Sequence, residues 1–128
     1  MSDIPDHLRY TAEHEWARLE EDGSITLGIT DHAQDALTDI VYVELPEVGD
    51  GFAAGEEFSV VESVKTASPI FLPFAGTVVA VNQELDDAPE LVNDSPYIDG
   101  WIARFSTDSD EALEHCLTAS QYAALIGN

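Results

Sequence analysis

Short runs in which apolar and polar residues alternate occupy most of the chain, and glycine, proline and aspartate separate them. This alternation is typical of strands that bury one face. The turn signal Asp22-Gly23 joins the first two runs, and Pro46 and Pro73 end two later ones. The predicted strands cover residues 14–19, 24–29, 39–45, 58–64, 67–72, 77–81 and 101–105.

Three segments have helical patterns instead. The predicted helices cover residues 31–37, 109–117 and 120–126. Thr30, Ser109 and Ser120 precede or begin them, and a hydroxyl side chain can accept a hydrogen bond from a free amide in the first turn. Residues 89–96 lie between two prolines and are predicted to form a loop.

Strict alternation within the strand at 58–64 predicts two distinct faces. One face carries Phe58, Val60, Glu62 and Val64, and the other carries Ser59, Val61, Ser63 and Lys65. The next strand begins at residue 67, so Lys65 is predicted to lie at a tight reversal between two strands.

The chain of 128 residues is strongly acidic, with a formal net charge of −22. Such a surface repels phosphate, which argues against nucleic acid and anionic membrane surfaces as partners. The charge fits either simple solubility, including in a salty cytoplasm, or recognition by basic enzyme surfaces. The acidic start, the lack of an apolar run of spanning length and the single cysteine, Cys116, predict a cytoplasmic protein.

Lys65 is the only lysine of the chain. The residues beside it, Ser63, Thr66, Ala67 and Ser68, are small or hydroxylated, so a modifying enzyme could approach it. Position and exposure alone favour an ordinary solvated surface lysine.

The segment 61–68, with the core Glu62-Ser63-Val64-Lys65, resembles the lipoylation site of glycine cleavage H proteins. Further segments resemble the same family, in the same order along the chain. They are residues 10–16, 28–34, 39–49, 76–82, 93–97 and 100–101. Two features depart from the family pattern: Thr38 stands where glycine is common, and the turn at 72–76 is bulkier than usual.

The resemblance implies a mainly β fold, the barrel-sandwich hybrid of lipoyl and biotinyl carriers, with short flanking helices that include C-terminal ones. It implies a single lipoyl-carrier domain over residues 1–128. It also implies that lipoate forms an amide with Lys65. The attachment motif would be Glu62, Ser63, Val64, Thr66, Ala67 and Ser68.

In this family the lipoyl arm, whose reach is on the order of 14 Å, carries an aminomethyl group. The resemblance implies that glycine decarboxylase (P protein) loads the group, that aminomethyltransferase (T protein) removes it, and that dihydrolipoyl dehydrogenase (L protein) reoxidises the dithiol. Lipoylating enzymes are further partners. The chain itself would be a non-catalytic carrier. An H-like protein that donates its lipoyl group to other lipoate-dependent enzymes would carry the same residues and stays an alternative.

Glu15 is a candidate for docking the loaded arm, because a carboxylate would stabilise the cationic amine of the cargo. The alternative is an exposed acid in an acidic chain. His14, His32 and His115 match no zinc spacing, so no metal site and no catalytic set is expected. The pair His115-Cys116 is predicted to diverge on a helix, and Trp16 and Trp101 are expected to pack in or beside the core.

Other classes of protein fit less well. Biotin carriers generally place methionine beside their lysine, whereas Val64 and Thr66 flank Lys65. Lipoyl domains of 2-oxo-acid dehydrogenases usually have Asp-Lys-Ala and sit in longer chains. Two alternatives come from other classes: an enzyme built from His14, Glu15 or the His115-Cys116 pair, and a structural acidic domain whose lysine is never modified.

Overall fold

A computed structural model describes residues 3–108 and 112–127. The described strands are β1 Arg9–Tyr10, β2 Glu15–Leu19, β3 Ile25–Ile29, β4 Ile40–Glu44, β5 Gly51–Phe52, β6 Glu57–Ser63, β7 Ala67–Phe71, β8 Gly76–Val81 and β9 Ala103–Ser106. The described helices are α1 Asp31–Leu37, α2 Glu84–Asp87, α3 Leu91–Asp94 and α4 Ala119–Ile126. All seven predicted strands occur, with ends within two residues of the predicted ones.

The strands form two antiparallel sheets. The larger has the order β1-β2-β3-β9-β8-β5, and the smaller has the order β4-β6-β7. Over the described ranges the sheets do not close into a barrel. The prediction of a mainly β fold with a C-terminal helix is confirmed. None of the helices among these residues is long and apolar enough to cross a membrane.

One hydrophobic core draws on both sheets. Leu27 and Phe105 come from the larger sheet, and Val43 and Val61 come from the smaller one; all four are fully buried. Phe58 meets Phe105 edge to face, with ring centroids 5.0 Å apart. Packing between the sheets therefore fixes the orientation of the smaller sheet and of its β6–β7 hairpin.

A second, aromatic cluster attaches α4 to the larger sheet. Tyr122 of α4 stacks on Tyr10 with ring centroids 4.8 Å apart, and Trp16 is buried in the same cluster. The Tyr122 hydroxyl pairs with Thr30 Oγ1 at 2.8 Å and with His14 Nδ1 at 2.7 Å. These bonds connect the C-terminal helix to the start of α1, where Thr30 also caps the helix as predicted.

The predicted faces of β6 are wrong at its beginning. The register between Glu57 and Ser59 shifts, so Phe58 is the extra residue of a β-bulge. Because of this bulge, Phe58 and Val61 both lie in the core, although strict alternation places them on opposite faces. Val60 is only half-buried.

Three predictions near the C-terminus and the last loop also need correction. The segment predicted as loop at 89–96 contains the short helix α3. Residues 112–115 form a turn and not a helix, and Ser109 lies outside the described residues. The cap of α4 is Thr118, which forms a capping box with Gln121, and Ser120 lies inside the helix.

The backbone at Thr38, which ends α1, has φ 67° and ψ −146°. A side chain with a Cβ is strained in this region, whereas glycine adopts it freely. Thr38 is held there because its N–H donates to Gln34 O at 3.0 Å and its carbonyl accepts from Asn93 Nδ2 at 2.8 Å. Thr38, which stands where the resembled family commonly has glycine, therefore has a backbone conformation that favours glycine.

We expect Thr38→Gly to raise the free energy of unfolding by about 1 kcal/mol. Relief of the backbone strain stabilises the folded state, and the greater conformational entropy of glycine in the unfolded chain offsets part of this gain. Urea denaturation measures this change. Thr38→Ala is the matched control, because it keeps the Cβ and should gain much less. Equal gains in both variants would show that the β-branched side chain, and not the backbone angle, carries the strain.

Candidate functional site

Lys65 lies at the tip between β6 and β7, and the side chain of Ser63 shapes this tip. Ser63 Oγ accepts hydrogen bonds from the N–H groups of Lys65 and Thr66, both at 3.1 Å, and it donates to Thr66 O at 3.2 Å. The Ser63 N–H closes the turn by donating to Thr66 O at 2.8 Å. A serine two residues before the lysine thus satisfies the backbone amides that the turn leaves free.

The tip is also attached to the end of α1. The N–H of Val64 donates to Asp39 O at 3.1 Å, and Lys65 Nζ donates to Ala36 O at 3.4 Å. Ala36 belongs to the last turn of α1, which contains no basic residue of its own. The ammonium group therefore lies at the negative end of the helix, where a cation is favoured.

Asn93 holds the segment that the tip contacts. Its Oδ1 accepts from Ile40 N at 2.8 Å, and its Nδ2 donates to Thr38 O at 2.8 Å and to Gln34 Oε1 at 2.9 Å. Asp39 lies between Thr38 and Ile40, so these bonds fix the carbonyl that receives Val64. Sequence reasoning missed this role, since the partners are more than 50 residues apart in the chain.

Both predicted features of Lys65 are present: it is exposed, and it lies at a reversal between two strands. The motif residues Val64, Thr66 and Ala67 are exposed too, whereas Glu62, Ser63 and Ser68 are half-buried. A primary amine in this position is open to acylation. Among the described residues, no three His, Cys, Asp or Glu side chains come together in a group that could hold a metal ion.

Glu15 is not the exposed acid that one interpretation expected, because it is 1% exposed. Its Oε1 accepts from Thr11 Oγ1 at 2.6 Å, and its Oε2 accepts from Phe71 N at 3.1 Å. Burial raises the pKa of this carboxyl from an ordinary 4.5 to about 7, although both hydrogen bonds oppose the change. Phe71 is the last residue of β7. Lys65 therefore lies just before the start of this strand, and Glu15 is hydrogen-bonded to its end.

Glu15 lines a cleft of about 500 Å³. The cleft is lined by parts of β1, the β1–β2 turn, the end of β7 and the segment before α4, including Thr11, Phe71 and Cys116. Burial raises the pKa of the Cys116 thiol, which keeps it protonated and unreactive near neutral pH. The cleft combines an apolar lining with one buried carboxyl group that can exchange a proton near neutral pH.

The other residues singled out in the sequence have structural roles. His14 and His32 are half-buried with ring centroids 4.8 Å apart, and His115 is exposed. Desolvation and the charge of His32 lower the pKa of His14. Trp16 is buried and Trp101 packs against the same aromatic cluster, as expected.

The raised pKa of Glu15 has a consequence for stability. The folded state binds this proton more tightly than the unfolded state, so stability falls as the pH rises from 4.5 to about 7 and the cost is complete above that range. The uncharged Glu15→Gln variant lacks this cost. Relative to the original chain it should gain up to roughly 3 kcal/mol between pH 4.5 and pH 7.

Urea unfolding at pH values of about 4.5, 6 and 8 tests this linkage. Glu21→Gln is the control, because Glu21 is an exposed acid in the β2–β3 turn and does not line the cleft. A stability difference for Glu15→Gln that stays constant with pH, or one that Glu21→Gln reproduces, would contradict the assignment.

Comparison with known proteins gives a consistent result. The family model described as "Glycine cleavage H-protein" matches residues 8–128. The chain is 57% identical to the glycine cleavage system H protein of Chromohalobacter salexigens over 126 residues, 98% of this chain and 96% of that protein. It is 54% identical to the protein of the same name from Psychrobacter sp. strain PRwf-1, over 97% of this chain and 98% of that protein.

The fold has a counterpart among solved structures. The crystal structure of a glycine cleavage system H protein from Mycobacterium marinum superposes with a TM-score of 0.90 at 39% sequence identity, covering 98% of this chain and all of that one. Sequence and fold therefore agree over almost the whole length, and the chain belongs to the glycine cleavage H-protein family.

Proposed function

We propose that this chain is a lipoyl carrier of glycine cleavage and that Lys65 is the lipoyl attachment residue. The observation that carries the proposal is the placement of the only lysine on an exposed hairpin tip in a member of this family. The proposal covers the whole chain as one carrier domain.

The surroundings of Lys65 fit an amide-linked lipoyl group. Within the described ranges, Nζ has one long hydrogen bond, to Ala36 O at 3.4 Å, so little must be broken to acylate it. Ser63 holds the backbone of the tip through its own side chain and not through the ammonium group. When bound, lipoate supplies a cyclic disulfide that opens to accept the aminomethyl group and two electrons.

The rest of the chain presents and protects this group. We propose that it catalyses none of the steps and passes the cargo from the P protein to the T protein and the dithiol to the L protein. The acidic surface, with a net charge of −22, favours partners with basic docking surfaces. Glu62 is paired with Ala67 beside the tip and is the motif acid best placed to guide them.

The attachment site is tested by lipoylating the protein with a purified lipoate-attaching enzyme, lipoate and ATP. We expect intact-mass and fragment-mass spectrometry to find one lipoyl group, on Lys65. Lys65→Arg keeps the charge but should stay unmodified. An unmodified original chain, under conditions that lipoylate a control lipoyl domain, would overturn the proposal.

The cleft beside Glu15 is proposed as the docking place of the loaded arm. Six residue steps separate Lys65 from Phe71, at most roughly 20 Å of extended chain, which is of the same order as the reach of the arm. A cationic amine near Glu15 would favour the ionised carboxylate, which burial alone disfavours. Docking would therefore both retain the cargo and keep water from it.

Glu15→Gln keeps the size of the side chain but removes its charge. The amide oxygen can still accept from Phe71 N, and the hydroxyl of Thr11 can rotate to accept from the amide nitrogen. We expect the loaded variant to lose its aminomethyl group to water roughly tenfold faster, because one charge-assisted contact is gone. Release of formaldehyde from the loaded protein, with no partner enzyme present, measures the rate. Glu21→Gln, which changes an exposed acid outside the cleft, should lose the group at the original rate, and an unchanged rate in Glu15→Gln would remove Glu15 from the docking site.

A further inference from the structure

Three of the eight exposed large hydrophobic residues in the described ranges lie close to Lys65. Val41 is 52% exposed, Tyr42 is 48% exposed and Val64 is 69% exposed. Scattered exposed apolar residues are ordinary, but a group of them at one place on a soluble surface marks an interaction site. These three residues form the tip patch.

The register of the smaller sheet brings the tip patch together. Ile40 pairs with Ser63 and Tyr42 pairs with Glu62, and the register shift between these pairs makes Val41 a bulged residue. Val64 follows Ser63 and is bonded to Asp39, which precedes Ile40. The side chains of Val41 and Tyr42 both remain exposed because the bulge interrupts the alternation that would bury one of them.

Acidic residues border the tip patch. Asp39 and Glu44 are exposed at the two ends of β4, and Glu62 is half-buried opposite Tyr42. The cations of the chain other than Lys65 are Arg9, Arg18 and Arg104, which belong to strands of the larger sheet. The smaller sheet therefore combines an apolar centre with a purely acidic border.

An enzyme that acylates Lys65 must cover this surface. A protein interface of standard size buries about 800 Å² on each partner, which corresponds to a circle of roughly 16 Å radius. Tyr42 pairs with a residue only three positions before Lys65, a distance of roughly 10 Å along the strand. A footprint of standard size centred on Lys65 is therefore large enough to include the tip patch.

We propose that the tip patch is the docking surface for the enzyme that acylates Lys65, and that this enzyme meets it with an apolar recess bordered by lysine and arginine. Tyr42 is the central contact, because exposed aromatic residues that become buried dominate binding energy at interfaces. The inference rests on the proposed function only in requiring that Lys65 is acylated.

The test compares variants that keep strand propensity. Tyr42→Thr and Val41→Thr remove apolar surface and place at each position a threonine, whose β-branched side chain favours strands. Val79→Thr is the matched control, because Val79 is also an exposed strand valine, 44% exposed, but lies on β8 of the larger sheet. Thermal unfolding checks that all variants remain folded.

For acylation by a purified lipoate-attaching enzyme with lipoate and ATP, Tyr42→Thr should lower kcat/KM about tenfold or more, with kcat nearly unchanged. The loss should be the same at about 0.05 M and about 0.5 M salt, since an apolar contact is not screened, whereas the rate of the original chain should fall with salt. Val79→Thr should behave like the original chain.

Docking without acylation provides the second measurement. The Lys65→Arg protein cannot be acylated and should inhibit acylation of the original chain competitively. Adding Tyr42→Thr to it should weaken this inhibition about tenfold, and adding Val79→Thr should not.

Three results would overturn the proposed role of the tip patch and leave the proposed function standing. They are equal acylation of Tyr42→Thr and the original chain, equal inhibition by the Lys65→Arg proteins with and without Tyr42→Thr, and an equal loss of acylation in Val79→Thr. Failure of the original chain to be acylated at all would instead overturn the proposed function and, with it, this inference.

Discussion

Presentation of Lys65 depends on the hydrogen bonds that Asn93 makes to the connection between α1 and β4. Those bonds hold Thr38 in a strained conformation and fix the carbonyl of Asp39, which in turn receives the N–H of Val64. Without them the carbonyl that receives Val64 would lose its support, and the tip would depend on the bonds around Ser63 and on the pairing of β6 with β4 and β7. The tip is therefore held mainly by contacts with backbone atoms, which leaves the lysine side chain almost free.

The sequence predicted the parts of this arrangement that local patterns encode. Alternation located the seven strands, Thr30 was identified as the cap of α1, and the lysine was placed at the correct reversal. The bulge at Phe58 was not predictable, because a register shift depends on the partner strand β7 and not on the strand's own pattern. The helical pattern near residue 112 was overridden in the same way, since the contacts of α4 with Tyr10 and not local propensity organise that end of the chain.

Long-range burial explains what else the sequence could not show. Glu15 follows a positive-φ residue, His14, at the beginning of β2, and nothing in its neighbourhood distinguishes it from the chain's other acids. Its burial arises because Phe71, 56 residues later, supplies a free amide at the end of β7. The edge strand β7 thus runs from the exposed lysine to a buried acid, and this placement is the reason for proposing the cleft near Glu15 as the docking place of an arm on Lys65.

Acylation changes the electrostatics of this surface in one direction. It removes the positive charge of Lys65, which is the sole cation of the chain outside the larger sheet. The interaction of the ammonium group with the negative end of α1 disappears at the same time, so the modified side chain is held less tightly against the helix. A partner with a basic surface then meets an entirely acidic border around the tip. The proposed modification would therefore free the side chain from the helix and increase the charge complementarity with partners that have basic docking surfaces.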